Sequence, residues 1–309
     1  MLKMNYLVKD FLKFFVLIAA ILFCLGFSSP SSENLSNSPD FSQGIRYLNE
    51  QNYQEAILKF TQVINDKNQW IASAYSNRCL AYLQVNNNQA AKIDCEEALE
   101  RNSENIEAYL NKGLADYRLE NYTQSLVAYQ EVIKRHKHDY RAYYNQGLVH
   151  YKLGNYQQAL ESYNQALETN HEDSLEHKTW IYYDRALAYL KLENFSQAIA
   201  NFTHVLILNP QDLQAYYQRG YAYQKLGNYQ GAFRDFTEVI TLNPQLTSAY
   251  INRGIIAGNL GFKEIAWENF KIALDQFQQQ NNKIGYNRTL NLIRKFKQIT
   301  SNVYQTPIG

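Results

Sequence analysis

Six histidines, three cysteines and twenty-nine carboxylates are the groups from which this 309-residue chain could build reactive chemistry. The histidines His136, His138, His150, His171, His177 and His204 are scattered, and none stands four residues from another. No carboxylate pairs with one at a catalytic spacing. A metal centre needs three or four converging ligands, so no metal site is expected. Cys79 and Cys95 lie sixteen apart, outside any CxxC grouping, and Cys24 sits in an apolar run. Two buried thiols acting as small hydrophobes and a disulfide both stay open for that pair. Phosphate loops, nucleophile elbows and dinucleotide fingerprints are absent. Neither a cofactor nor catalysis is expected.

What does recur at a fixed spacing is an amide. Asn77, Asn111, Asn145 and Asn252 stand at one place in a repeating frame, with Asp184 and Gln218 filling the same place between them. An amide both donates and accepts, so a row of them can grip a peptide backbone whatever its sequence. Lys+Arg is 30 and Asp+Glu 29, a net charge of +1, which gives no global field for nucleic acid. The expected ligand is a protein or peptide.

The elements that must hold this row are helices. Gly and Pro number only 13 and 5, and apolar residues fall at three-to-four spacing in paired runs. The run Lys-Leu-Gly-Asn-Tyr-Gln occurs at 152–157 and again at 225–230, an offset of 73. The frame behind it is an aromatic, a small residue four on, a turn, then alanine and an aromatic four beyond. In one unit these are Tyr216, Gly220, Leu226–Tyr229, Ala232 and Phe236. Seven such units run at a period of 34, with one extra residue at Ile71 and five at Ser174–Lys178, so 73 is two periods plus five.

This unit resembles the tetratricopeptide repeat, over residues 37–280. The resemblance implies an all-α solenoid: helix–turn–helix units at 37–70, 72–105, 106–139, 140–173, 179–212, 213–246 and 247–280, stacked into a right-handed superhelix with a concave face. It places the amide row on that face. Beside it would lie Leu80, Leu110, Leu114, Tyr117, Tyr144, Leu148, Tyr151, Tyr183, Leu187, Tyr217 and Tyr221. Arg118, Lys152, Lys191 and Lys225 recur at one further place of the frame, where they could attract an acidic ligand but need no explanation beyond that of solvated charges. The Lys/Asn clamp with which some members of the family hold a terminal carboxylate is not matched. Ser76 or Leu110 stands for its lysine and Leu80 or Leu114 for its asparagine. Arg78 with Asp94, and Arg219 with Asp235, sit at equal separations and are expected to pair within their units. The implied function is a protein-interaction scaffold, in the nearest variant an assembly factor for an envelope complex. The recognition arm of an enzyme complex and a self-associating structural protein are the alternatives.

Two segments flank the units. Lys3, Lys9 and Lys13 precede the apolar run Phe14–Phe27, and a polar linker follows at 29–36. That is the pattern of an export signal, cleaved after Ser28 or retained as an anchor, which would put the repeats outside the cytoplasm and be the chain's one route to a membrane. At the other end, Tyr286, Leu290, Ile293 and Phe296 make an apolar stripe, so 281–302 is expected to cap the last unit, ahead of a tail at 303–309.

Overall fold

The computed structural model describes residues 39–66, 69–169 and 175–302, with side chains to 297. Fifteen α-helices and no strand occur among the described residues. They divide between two compact bodies, split at Asp173/Ser174. The first holds α1 (Pro39–Asn49), α2 (Tyr53–Asn65), α3 (Ile71–Gln84), α4 (Asn88–Arg101), α5 (Ile106–Arg118), α6 (Tyr122–Arg135), α7 (Tyr140–Lys152) and α8 (Tyr156–Thr169). The second holds α9 (Leu175–Lys191), α10 (Phe195–Leu208), α11 (Leu213–Lys225), α12 (Tyr229–Leu242), α13 (Thr247–Asn259), α14 (Lys263–Gln279) and α15 (Lys283–Asn302). The expected export segment, linker and tail lie outside the described residues. No described helix is long and apolar enough to cross a membrane.

One turn joins the two helices of every pair. After α7, the Gly154 amide bonds the Tyr151 carbonyl and the Asn155 amide bonds that of His150, at 3.1 and 2.9 Å. This closes the helix with one left-handed residue, Gly154, at φ +79°. The same residue is Gly227 after α11, but Gln51, Asn86, Glu120 and Glu193 hold it elsewhere at φ of 55–62°. The asparagine that follows has a different task from the left-handed one its type allows. Asn228 caps the next helix, its side chain accepting the Gly231 amide at 2.9 Å. Between pairs, Asn209 and Asn243 are extended ahead of their prolines, which stops α10 and α12.

In five of the seven pairs the core is a glycine met by a ring. A Cβ on Gly147 would stand 2.5 Å from the Tyr163 ring, and one on Gly113 equally close to that of Tyr129. Gly44 with Phe60, Gly220 with Phe236 and Gly254 with Phe270 repeat the contact, and all five rings are buried. The alanine place lies against the same glycine. Ser125, which takes that place in the third unit, donates to the Gly113 carbonyl at 2.7 Å. Close approach of the first helix to the second therefore rests on a missing side chain and an inserted aromatic together.

The residues added at Ser174–Lys178 do not form a loop among those described. Leu175–Lys178 are helical and lengthen α9 to 17 residues, where the first helices α11 and α13 have 13. At the far end α15 lies over the last pair. Phe296 packs edge-on to Phe270 and Trp267, at 6.0 and 6.1 Å between ring centres, and covers Gly258. The apolar stripe of α15 is thus spent on α13 and α14.

His150 of α7 occupies a place held by Tyr47, Tyr82, Tyr189 and Tyr223 in other units. Its Nδ1 is buried without a hydrogen-bond partner. Burial lowers its pKa, against a smaller opposing pull from Glu161. A depressed folded pKa contributes stability that is present above the unfolded value of about 6.5 and is lost as pH falls toward the folded one. Thermal melts at pH 7.5 and pH 5 should show a loss on acidification that His150→Tyr reduces. Equal losses in the two proteins would rule this out.

Candidate functional site

The expected groove residues all stand on first helices, but the structure sorts them. Asn77 and Asn111 are buried, and Asn77 Nδ2 donates to the Ser73 carbonyl one turn back, at 2.8 Å. Leu114 and Tyr144 are buried too, Tyr144 against the Tyr163 ring at 6.0 Å. Tyr117 and Tyr151 turn edge-on to Tyr122 and Tyr156 across the inter-helix turn, at 5.9 and 5.4 Å, and Asn145 is half-buried. In the first body most of the expected site is therefore packing.

The second body differs. Asp184, Gln218 and Asn252 are all partly exposed, as are Tyr183, Tyr217 and Tyr221, so none of the six is buried, whereas of the expected amides and rings in the first body only Tyr117, Asn145 and Tyr151 are partly exposed. Tyr183 rests edge-on on Phe202, and Tyr217 on Phe236, at 5.5 and 5.6 Å. Asn252 Nδ2 donates to the Tyr217 hydroxyl at 3.0 Å, which ties α13 to α11. Lys225 Nζ lies 5.5 Å from the centre of the Tyr221 ring. Rings held by neighbours on one edge bind with little entropy loss and keep a hydroxyl for hydrogen bonding.

Arg118, in the first body, is not a solvated charge. Its Nη1 donates to the Leu83 carbonyl at 2.7 Å and so serves the C-terminus of α3. Arg141 bridges Glu107 of α5 and Asp139 at 2.8 Å each. Asp116 is fully buried and takes Lys92 at 3.1 Å and Lys112 at 2.7 Å.

The expected Arg–Asp pairs form, and they extend further than the sequence indicated. Arg78 holds Asp94 through two nitrogens, at 2.6 and 2.8 Å, and its third reaches Thr61 of the preceding pair at 2.8 Å. Arg219 does the same with Asp235 and Thr203. Each guanidinium also lies over two tyrosine rings, Tyr75 and Tyr82 for one, Tyr216 and Tyr223 for the other. These pairs are not surface ion pairs, because their side chains are only 4–16% exposed. Burial pushes the Asp235 carboxyl up against the pull of Arg219. Arg185 and Arg253 meet Asn201 and Asn269 at the same sixteen-residue separation, and there burial lowers the arginine pKa. That separation was the signal by which both asparagine partners could have been found.

Cys79 and Cys95 form a disulfide between α3 and α4, with Cα atoms 5.5 Å apart. Among the described residues no group of three or more His, Cys, Asp and Glu is placed to hold a metal. His204 stacks on Tyr182 and His177 tilts against Trp180, so both rings make aromatic contacts.

Family models described as tetratricopeptide repeat match residues 110–174, 181–212 and 213–246. The chain is a tetratricopeptide repeat protein. It is 36% identical over 66 residues to mouse sperm-associated antigen 1. That match takes in 21% of this chain and only 7% of that protein. Among solved structures it is similar to the C-terminal part of a tetratricopeptide repeat protein from Cytophaga hutchinsonii. That likeness has a TM-score of 0.66 at 18% identity, over 80% of this chain and 98% of the other. YrrB, described as a TPR protein with an unusual peptide-binding site, gives 0.55 at 22%, over 64% and 97%. At such identities the likenesses show the fold alone. The matched tetratricopeptide repeats support a protein-interaction scaffold.

Proposed function

We propose that the second body binds an extended peptide segment of a partner protein across the first helices of its three repeats, in a chain carried outside the cytoplasm. The observation that carries the reading is the partial exposure of Asp184, Gln218 and Asn252 at one repeated place, beside Tyr183, Tyr217 and Tyr221. Amides and hydroxyls there offer donors and acceptors to a peptide backbone, and the ring faces supply apolar area. The buried Asn77 and Asn111 leave the corresponding face of the first body less suited to the task. Export is supported by the lysines ahead of Phe14–Phe27 and by the Cys79–Cys95 bond, since disulfides persist in oxidising compartments. Assembly of an envelope complex is the process such a scaffold would serve.

Site-specific photo-crosslinking in the native host tests this. A photoreactive amino acid at Tyr221 should give discrete partner adducts, and Gln218→Ala should weaken them. The same probe at Ile207, 68% exposed on the second helix α10, should give none. Adducts from position 207 with none from 221 would place binding elsewhere and end the groove reading.

A further inference from the structure

Six of the seven repeats build their core from one pair of positions sixteen residues apart. Gly44–Phe60, Gly113–Tyr129, Gly147–Tyr163, Gly220–Phe236 and Gly254–Phe270 are glycine and ring, and Ala186–Phe202 is nearly so. In the second repeat both positions are cysteine, Cys79 on α3 and Cys95 on α4. The rest of its core is thin. Its other buried residues are Leu83, Ala91, Ala98, Ala108, Leu114 and Ala115; Tyr75, Tyr82, Leu99 and Tyr117 pack against them only partly buried, and no aromatic is fully buried. Every other repeat gains the area of a buried ring here, and a pair of small thiols cannot supply it.

We propose that the Cys79–Cys95 bond replaces the glycine–ring contact and that the second repeat reaches its full stability only in its oxidised form. Oxidation then stabilises the packing of the first body, beyond being a mark of where the chain resides. The step is a thiol–disulfide exchange. One cysteine thiolate attacks the disulfide of an oxidant, forming a mixed disulfide and releasing one thiol. The second cysteine, losing its proton, attacks the mixed disulfide and releases the other thiol. Two electrons pass to the oxidant and two protons to solvent or to the released thiolates. Both cysteines are fully buried in the folded chain, so exchange must precede packing or wait for local opening. The inference is independent of where a partner binds.

The test uses the full chain purified from its native compartment. Denatured without reductant, alkylated and cut with trypsin, it should yield peptides 79–92 and 93–101 joined through sulfur and unalkylated. Alkylation at both cysteines would overturn the proposal. Thermal melts followed by circular dichroism should fall by roughly 5–10 °C with reductant or in Cys79→Ser/Cys95→Ser. Cys79→Gly/Cys95→Tyr should recover most of that loss and ignore reductant. A wild-type melt unmoved by reductant, a serine pair as stable as the oxidised protein, or a glycine–tyrosine pair no better than the serine pair would each overturn it.

Discussion

Gly147→Leu should unfold the first body at a temperature roughly 10 °C lower than wild type, the equivalent of about 3 kcal/mol or more. The first added atom would stand 2.5 Å from Tyr163 Cε1, inside van der Waals contact. The ring cannot move aside as a flexible chain end would, because Tyr163 is fully buried between its neighbours. Gly220 gives the contrast. A Cβ there would lie 3.2 Å from Asp235 Cβ and 3.3 Å from the Phe236 ring. A helix gains roughly 1 kcal/mol when alanine replaces glycine, so Gly220→Ala should be close to neutral while Gly147→Ala is destabilising. Circular dichroism melts of the three variants give the order. A Gly147→Leu chain that melts with wild type would refute the packing account.

Asp235→Ala should cost about 3 kcal/mol, because it strands a cation instead of deleting a pair. Arg219 would keep its place between Tyr216 and Tyr223 with Thr203 as its remaining hydrogen-bond acceptor. Asp235→Asn should cost far less, about 1 kcal/mol. The chain already contains that arrangement twice, with Arg185 on Asn201 and Arg253 on Asn269. Chemical denaturation of the two variants separates a lost contact from an uncompensated charge. Equal losses would show that the charge of Asp235 is immaterial.

These effects were legible in the sequence to different depths. The 34-residue frame was fully legible, because a small residue, an alanine and two aromatics at fixed spacing have one helical use in common. The turn was legible as a turn, but not in detail. Glu120 and Glu193 stand left-handed where glycine would have advertised the conformation, and Asn228 is a cap. The site was legible only as a face. Asn77 and Asn252 share a type and a place, yet one bonds its own helix and the other a tyrosine one repeat away. Burial of that face depends on the neighbouring helix and on which aromatic it carries, and a single repeat does not contain that information. The reach of Arg78 to Thr61 was hidden for the same reason, since it joins positions in different repeats. The five extra residues at Ser174–Lys178 were legible only as an addition to the frame, and Leu175–Lys178 continue a helix.

The bond between Cys79 and Cys95 also sets how this chain can be pulled. The bonded cysteines are sixteen residues apart in sequence, a span of roughly 50 Å when extended, and tension applied at the two ends bypasses the chain between them. A motor that draws the oxidised protein through a narrow pore would meet two strands side by side at α3–α4 where it elsewhere meets one. Reduction restores a single thread, so the second repeat would act as a stop whose release is chemical and not mechanical.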